Sequence, residues 1–237
     1  MRKYLQSPIF ILLIAMVVLN LLEGDFDNMG EWIMGKLLMI PAIVIGLSFH
    51  EFAHAAVSNA LGDPTPKSQG RVTINPMAHI DPFGFVALFI AGFGWGQPVQ
   101  IDPRYYKNRR LGEILVSFAG VAMNLLLAIV FAFVIKAYLN VAGNIGNVTL
   151  AQTILEMLID IVVVNIVLMV FNLLPVPPLD GFGVVTQLFR LDRYDWWYKL
   201  YNNGFLILML LILFGVTNKI LQPAVSAVYG MIMGAIL

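Results

Sequence analysis

The chain has 237 residues, of which 59% are hydrophobic and only 12% carry a charge. A soluble domain is typically about 25% charged, so this composition predicts an integral membrane protein. Its 14 basic and 14 acidic side chains balance, which argues against a nucleic-acid surface. Cysteine is absent, so any metal site must use histidine, carboxylate or amide ligands.

Apolar runs near the roughly 20 residues of a spanning helix predict five or six transmembrane helices. In chain order they cover residues 5–22, 32–61, 114–135, 154–174, 205–216 and 220–237. The first could instead be a signal peptide, but no small-x-small cleavage site follows, which favours a retained helix. The last is short and contains Pro223, so it either spans the membrane or lies in the interface.

The uncharged stretch 82–101 does not resemble a regular spanning helix, because Gly84, Gly92, Gly94, Gly96 and Pro98 interrupt it. Extended or re-entrant chain is expected there, buried in protein or lining a cavity. The predicted fold is therefore an all-α polytopic membrane protein with a small membrane-associated β-segment between helices 2 and 3. No repeat or linker is visible, so residues 1–237 are expected to form one domain with its core at about 32–190.

Loop charges predict the orientation of a multi-pass protein in the cell membrane. Arg2 and Lys3 favour a cytoplasmic N-terminus, and the acidic loop 23–31 fits the outside. The basic connection 67–110 and the later basic residues near 190–199 then fall on the cytoplasmic side.

Two of the three histidines occur in His50-Glu51-Phe52-Ala53-His54, within the second apolar run. On a helix, His50 and His54 share one face, so both imidazoles can reach one tetrahedral zinc ion. Glu51 stays beside that site, where it can take a proton from water. Ionisable groups inside a membrane segment are costly and usually functional, which favours a site over a chance match.

A catalytic zinc ion commonly takes a third protein ligand. The candidates are His79, Glu113, Glu156, Asp160 and Asp180. Asp180 is favoured because three prolines unwind the chain before it and Gly181 allows a turn after it. The predicted topology brings Asn172 and Asp180 to the cytoplasmic depth of the two histidines.

These motifs together resemble the site-2 proteases, which are intramembrane zinc metalloproteases. His-Glu-x-x-His is followed by Asn172-Leu-Leu-Pro-Val-Pro-Pro-Leu-Asp180-Gly, and the resemblance continues through Arg71–Pro76, His79, Asp81, Pro82, Gly84 and Gly94–Val99. It covers roughly residues 40–190. The chain departs from the family at Ala119-Gly120-Val121, where Ala-Gly-Pro is common before the asparagine that matches Asn124.

The resemblance implies that His50, His54 and Asp180 hold one zinc ion and that Glu51 is the base. Asn172 would help hold the substrate carbonyl or its oxyanion. The substrate would be a transmembrane protein, cut within or near its spanning helix in the lipid bilayer. A compact, core-only member without PDZ or CBS domains is expected, and the oligomeric state does not follow.

A spanning substrate helix must unwind before it can be cut, and an extended enzyme segment could pair with it by adding a strand. Val72, Thr73, Ile74, Asn75 and His79 are the predicted substrate-binding residues. His79 has an alternative role as a local hydrogen-bonding group near Asp81.

Two other functions fit parts of the sequence. A membrane zincin acting on non-transmembrane peptides would use Glu113 or Glu156 as its third ligand. An ion transporter could bind its ion at His50, Glu51 and His54, with a broken helix at Pro175–Pro178, although no internal repeat supports it.

Overall fold

The structure is a computed structural model that describes residues 29–91 and 94–237 together with Ile14, Ala15 and Val18. The span predicted at 5–22 falls on residues that, those three apart, lie outside the described chain. The α-helices follow one another in the order α1 (Met29–Leu38), α2 (Ile40–Ala60), α3 (Thr65–Ser68), α4 (Pro82–Ala91), α5 (Arg109–Ala142), α6 (Val148–Asn172), α7 (Asp180–Phe189), α8 (Asp195–Asn202), α9 (Gly204–Leu213) and α10 (Val216–Ile236).

Four helical stretches of the described chain are long and apolar enough to cross a membrane. They are Gly30–Ala60, which joins α1 and α2, and then α5, α6 and α10. α9 has 10 residues, about 15 Å of helix, which is half of the roughly 30 Å hydrocarbon core. The described residues therefore supply four candidate spans rather than the predicted five or six. The last apolar run, residues 220–237, is predicted either to span the membrane or to lie in its interface. Its residues 220–236 belong to α10, which is long enough to span the membrane.

The core is a bundle in which α2, α5 and α6 contact one another in pairs, α10 covers α6, and α7 packs on α5. Asparagine side chains cap two of these helices: Asn108 accepts from the Leu111 N–H, and Asn147 from the Leu150 N–H. Buried apolar residues on α5 and α6 form the main cluster: Val121, Ala128, Ile135, Val162, Ile166, Met169 and Val170. This packing brings one face of α2, the middle of α5 and the start of α7 together.

The connection between α2 and α5 forms no sheet among the residues described. Its β-structure is a single antiparallel bridge between Ile80 and Gly96. The first half of the predicted non-helical stretch 82–101 is instead the short helix α4, and the part from Gly94 onward has no regular secondary structure apart from that bridge. Proline lacks the N–H that a ladder needs, and Pro76, Pro82 and Pro98 are spaced through the segment. These prolines limit pairing along the segment, and Val72, Thr73 and Ile74, which have strand-like composition, are not part of the bridge.

Asp63 anchors the entry to this connection just after α2. It is fully buried, and its carboxylate accepts hydrogen bonds from Ser58 Oγ at 2.8 Å, Thr65 N at 2.9 Å and Asp102 N at 2.7 Å. Burial acts to raise the pKa of Asp63, but the hydrogen bonds from Thr65, Asp102 and Ser58 outweigh it and lower that pKa. The ionised carboxylate therefore joins the two ends of the connection.

We expect Asp63→Asn to lower the free energy of unfolding by about 2 kcal/mol or more at pH 7, because an amide cannot accept from all three donors. Since the folded pKa is lowered, the contribution is present above the unfolded pKa of about 3.9 and is lost as the pH falls through the folded value. Thermal unfolding of both proteins across pH 3–7 measures this. Asp195→Ala, at an exposed position, is the control, and a constant difference across this range would contradict the assignment.

Candidate metal centre

Two histidines on the buried face of α2 present the same ring nitrogen to one point. His50 and His54 are both buried, and their Nε2 atoms are 3.0 Å apart. Their rings meet edge to face, with centroids 4.6 Å apart. Gly120 on α5 makes this approach possible, because a Cβ there would lie 2.6 Å from both Nε2 atoms.

Asp180 reaches the same point from the chain that follows α6. This helix ends at Asn172, and Pro175, Pro177 and Pro178 prevent its continuation. The turn back is tight: a Cβ on Gly181 would lie 2.3 Å from the Leu173 carbonyl oxygen. Glycine therefore lets α7 begin at Asp180, against the end of α6.

The Asp180 carboxylate faces both histidine nitrogens. Its Oδ2 atom is 3.2 Å from His50 Nε2 and 3.3 Å from His54 Nε2. Oδ2 is buried and accepts no hydrogen bond from the residues described. An unpaired buried carboxylate oxygen is costly, so this arrangement needs a positive partner.

The other ring nitrogens fix the tautomer that each histidine adopts as a neutral ring. His50 Nδ1 lies 2.6 Å from Asn124 Oδ1, and His54 Nδ1 lies 2.7 Å from the Val116 carbonyl oxygen. Both partners are acceptors, so each Nδ1 carries the hydrogen and each Nε2 of the neutral ring is a bare lone pair. With both rings neutral, three electron-pair donors thus converge on one point.

This triangle fits a tetrahedral metal ion. Zinc binds nitrogen and oxygen ligands at about 2.0–2.1 Å, which separates neighbouring ligand atoms by about 3.3 Å. The three separations of 3.0, 3.2 and 3.3 Å are close to that edge. His50, His54 and Asp180 therefore form a group that can hold a metal ion, with the fourth position left for water or substrate.

A chain of amides behind His50 determines which way Asn124 points. The Asn124 amide nitrogen donates to the Gly46 carbonyl at 3.1 Å and to Asn165 Oδ1 at 2.9 Å. Asn165 in turn donates to the Ile161 carbonyl at 2.8 Å. Since carbonyl oxygens only accept, Asn124 Oδ1 must face His50. Asn124 therefore orients the His50 ring and also joins α5 to α2 and α6. The motif spacing does not predict the role of Asn165.

Glu51 and Asn172 lie beside the three donors. Both line a small cavity of about 220 Å³ together with His50, His54 and Asp180. Glu51 Oε2 accepts a hydrogen bond from the Val99 N–H at 3.0 Å, and Asn172 donates to the Leu168 carbonyl at 3.0 Å. One hydrogen of the Asn172 amide group is left for another acceptor.

A second cavity of about 670 Å³ shares Glu51, Asn172 and His50 with the first. Its walls are mainly apolar side chains of α2, α4, α6 and α9. The candidate centre therefore lies where a large apolar cavity meets a small polar one.

The predicted substrate-binding residues lie apart from both cavities. Val72, Thr73, Ile74, Asn75 and His79 line neither of them. His79 is buried, its Nε2 is 2.7 Å from the Thr73 carbonyl oxygen, and its own carbonyl accepts from the Gln97 N–H at 2.7 Å. The local role considered for His79 matches these contacts. The non-helical segment that does line the site is 95–101, through Trp95, Gly96, Pro98, Val99 and Ile101.

The other carboxylates considered as third ligands do not join the cluster. Glu113 accepts from Arg109 and Gln187 instead. Glu156 is exposed and Asp160 half-buried, both on α6.

The sequence matches a known protein family over most of its length. The model of peptidase family M50 matches residues 38–216. "Putative zinc metalloprotease YwhC" of Bacillus subtilis is 35% identical over 204 residues, covering 84% of this chain and 92% of that protein. "Putative zinc metalloprotease Rip2" of Mycolicibacterium smegmatis is 28% identical over 230 residues, covering 90% and 82% respectively. A protein of the same name in Mycobacterium tuberculosis is 26% identical over 194 residues, covering 78% and 71%.

No solved structure matches the chain. The family model nevertheless extends over more than half of the sequence and includes both histidines and Asp180. The chain therefore belongs to peptidase family M50, the family of the site-2 proteases that its motifs resemble.

Proposed function

We propose that the protein is an intramembrane zinc metalloprotease that hydrolyses a peptide bond within or near a transmembrane helix of its substrate, as in regulated intramembrane proteolysis. The carrying observation is the convergence of His50 Nε2, His54 Nε2 and Asp180 Oδ2 within 3.3 Å, beside Glu51. In this proposal the three residues hold one zinc ion and residues 1–237 act as one domain.

The residues around the site have distinct roles in hydrolysis. A bound zinc ion would polarise the substrate carbonyl and lower the pKa of water towards about 7. Glu51 would take the proton from the attacking water and deliver it to the leaving amine nitrogen. The second amide hydrogen of Asn172 would stabilise the developing charge on the carbonyl oxygen. Asn124 and the Val116 carbonyl would keep both imidazoles in the tautomer that directs Nε2 inward.

The two cavities suit the two reactants of this chemistry. An apolar substrate segment would occupy the larger cavity and water the smaller one, and both would meet at Glu51 and Asn172. From the basic loops we propose that the site lies towards the cytoplasmic side of the cell membrane. A fifth span, within the predicted five or six, would come from residue range 5–22.

Strand addition to the substrate is proposed for the non-helical segment 95–101. This segment lines the site, and its Val99 N–H contacts Glu51. Arg71 stabilises segment 95–101 by donating to the carbonyls of Gln97 and Pro98, both at 3.0 Å. A substrate strand paired here would complete the β-segment predicted from the sequence, while Val72–Asn75 and His79 would support it.

We expect Glu51→Gln to lower kcat by at least about 100-fold, because a positioned general base contributes at least that much. Zinc content should stay unchanged, since Glu51 is not one of the three donors. Cleavage of a single-span peptide in proteoliposomes and metal analysis of the same sample measure both effects. Glu156→Gln makes the same replacement at an exposed position on α6. Full turnover by Glu51→Gln would show that Glu51 is not the general base.

We expect Asp180→Ala to weaken zinc affinity by more than about 100-fold, because residues that merely orient ligands already contribute 10–100-fold. Competition with a fluorescent chelator measures the affinity, and Asp160→Ala is the matched control. Zinc retained in Asp180→Ala but lost in Glu113→Ala or Glu156→Ala would favour the zincin.

We expect Gln100→Pro to reduce cleavage about tenfold or more with zinc content intact, because it removes an N–H from the segment proposed to pair with substrate. Ile74→Pro, at an exposed position outside both cavities, should retain most of the activity. If Ile74→Pro loses activity in the proteoliposome assay and Gln100→Pro keeps it, the substrate strand pairs with Val72–Asn75 instead.

A further inference from the structure

One lysine lies on the wall of the large apolar cavity, far from the candidate metal centre. Lys36 of α1 lines this cavity together with Met39, Ile43 and Leu47, and the same helical stretch leads to Glu51. Fifteen residues separate Lys36 from Glu51, which is about 22 Å along a helix axis. The cavity therefore follows this helical stretch for about 22 Å, from the candidate metal centre to Lys36.

Lys36 is partly exposed and has apolar and aromatic neighbours at its end of this cavity. Among the described residues that line it, Lys36 is the only lysine or arginine, and the lining at its end is apolar. An ammonium group in such surroundings is costly unless it is paired. Its nitrogen lies 5.5 Å from the centroid of the Trp32 ring. A ring face attracts the charge, but it has no lone pair for the ammonium N–H groups.

We propose that Lys36 is a specificity-determining residue that binds a carboxylate of the transmembrane substrate, on the outer side of the bond to be cut. This inference rests on the proposed function and adds a substrate class to it: an apolar span with one Asp or Glu, or its own terminal carboxylate, in register with Lys36. Charge complementarity supports this occupant, because the described part of the cavity wall is an apolar surface with one cation at its far end.

The register follows from the length of the cavity. A substrate that is helical throughout would cover about 22 Å with 15 residues, whereas an extended one needs about seven. The bond to be cut must be unwound and the remainder can stay helical, so the acidic residue is expected 7 to 15 positions from that bond. Opposite charges attract strongly in low-dielectric surroundings. A substrate with its acidic residue at one particular position should therefore be cleaved best.

A scan of substrate charge tests this proposal with the full chain in proteoliposomes. Single-span peptides carry one Asp at successive positions 6 to 16 residues outward from the cleaved bond, and matched peptides carry Asn or Lys there. Each is assayed with wild type, Lys36→Gln and Lys36→Glu. Lys219→Gln is the control, because it removes an exposed lysine outside the cavity. Binding to the Glu51→Gln variant, followed by fluorescence transfer, gives a readout that does not depend on turnover.

The wild type should prefer Asp over Asn by about tenfold in kcat/KM at one position, which is the scale of a charged hydrogen bond. Lys36→Gln should abolish that preference, Lys36→Glu should transfer it to the Lys peptide, and Lys219→Gln should keep it. Binding to Glu51→Gln should show the same preference. Because the Asp scan needs only the wild type, a misfolded Lys36 variant would not prevent the test.

Equal Asp and Asn preference at every position would overturn the proposal, as would an Asp preference that survives in Lys36→Gln. A dependence of Lys36 variants on anionic lipid but not on substrate charge would assign the lysine to a lipid phosphate and likewise overturn it. A wild type that cleaves no span at all would instead be a failure of the proposed function.

Discussion

Three electron-pair donors pointed at one buried point are the constraint on which this structure depends. Two imidazole nitrogens and one carboxylate oxygen lie within 3.3 Å of one another, and with both rings neutral they have no hydrogen to share. Without a cation such an arrangement is repulsive and leaves a charge unpaired in a low-dielectric interior. Several local features serve it: Gly120 makes room for both rings, Gly181 turns the chain at Asp180, and the Asn124 amide fixes one tautomer.

The helix bundle holds the three donor atoms in place, because the groups that form and support the site come from different helices. The histidines come from α2, their hydrogen-bond acceptors from α5, and the carboxylate from the first residue of α7. Helices that span a membrane satisfy their own backbone groups, so they can hold polar side chains inward while their outer faces stay apolar. The non-helical segment 95–101 and the broken chain at Pro175–Pro178 occur next to the site, where cavities adjoin them.

The sequence predicts the site better than its surroundings. The His50–His54 spacing and the motif at Asp180 are local patterns with fixed chemistry, so the three residues that cluster were identifiable before any coordinates. The predicted β-segment is larger than the single bridge among the described residues. Val72, Thr73 and Ile74 have the composition of a strand, but strand pairing also depends on a partner segment, which local composition does not encode. The hydrogen-bond chain through Asn165 depends on how α5 and α6 are rotated against each other, which a single sequence does not encode locally.

X-ray absorption at the zinc edge tests the central claim most directly, using the full chain purified with zinc and reconstituted in lipid. The account predicts one zinc ion per chain, with two imidazole nitrogens and a carboxylate oxygen at about 2.0–2.2 Å and one further light atom in a four-coordinate shell. A spectrum without imidazole scattering, or a chain that retains no zinc after dialysis, would contradict it.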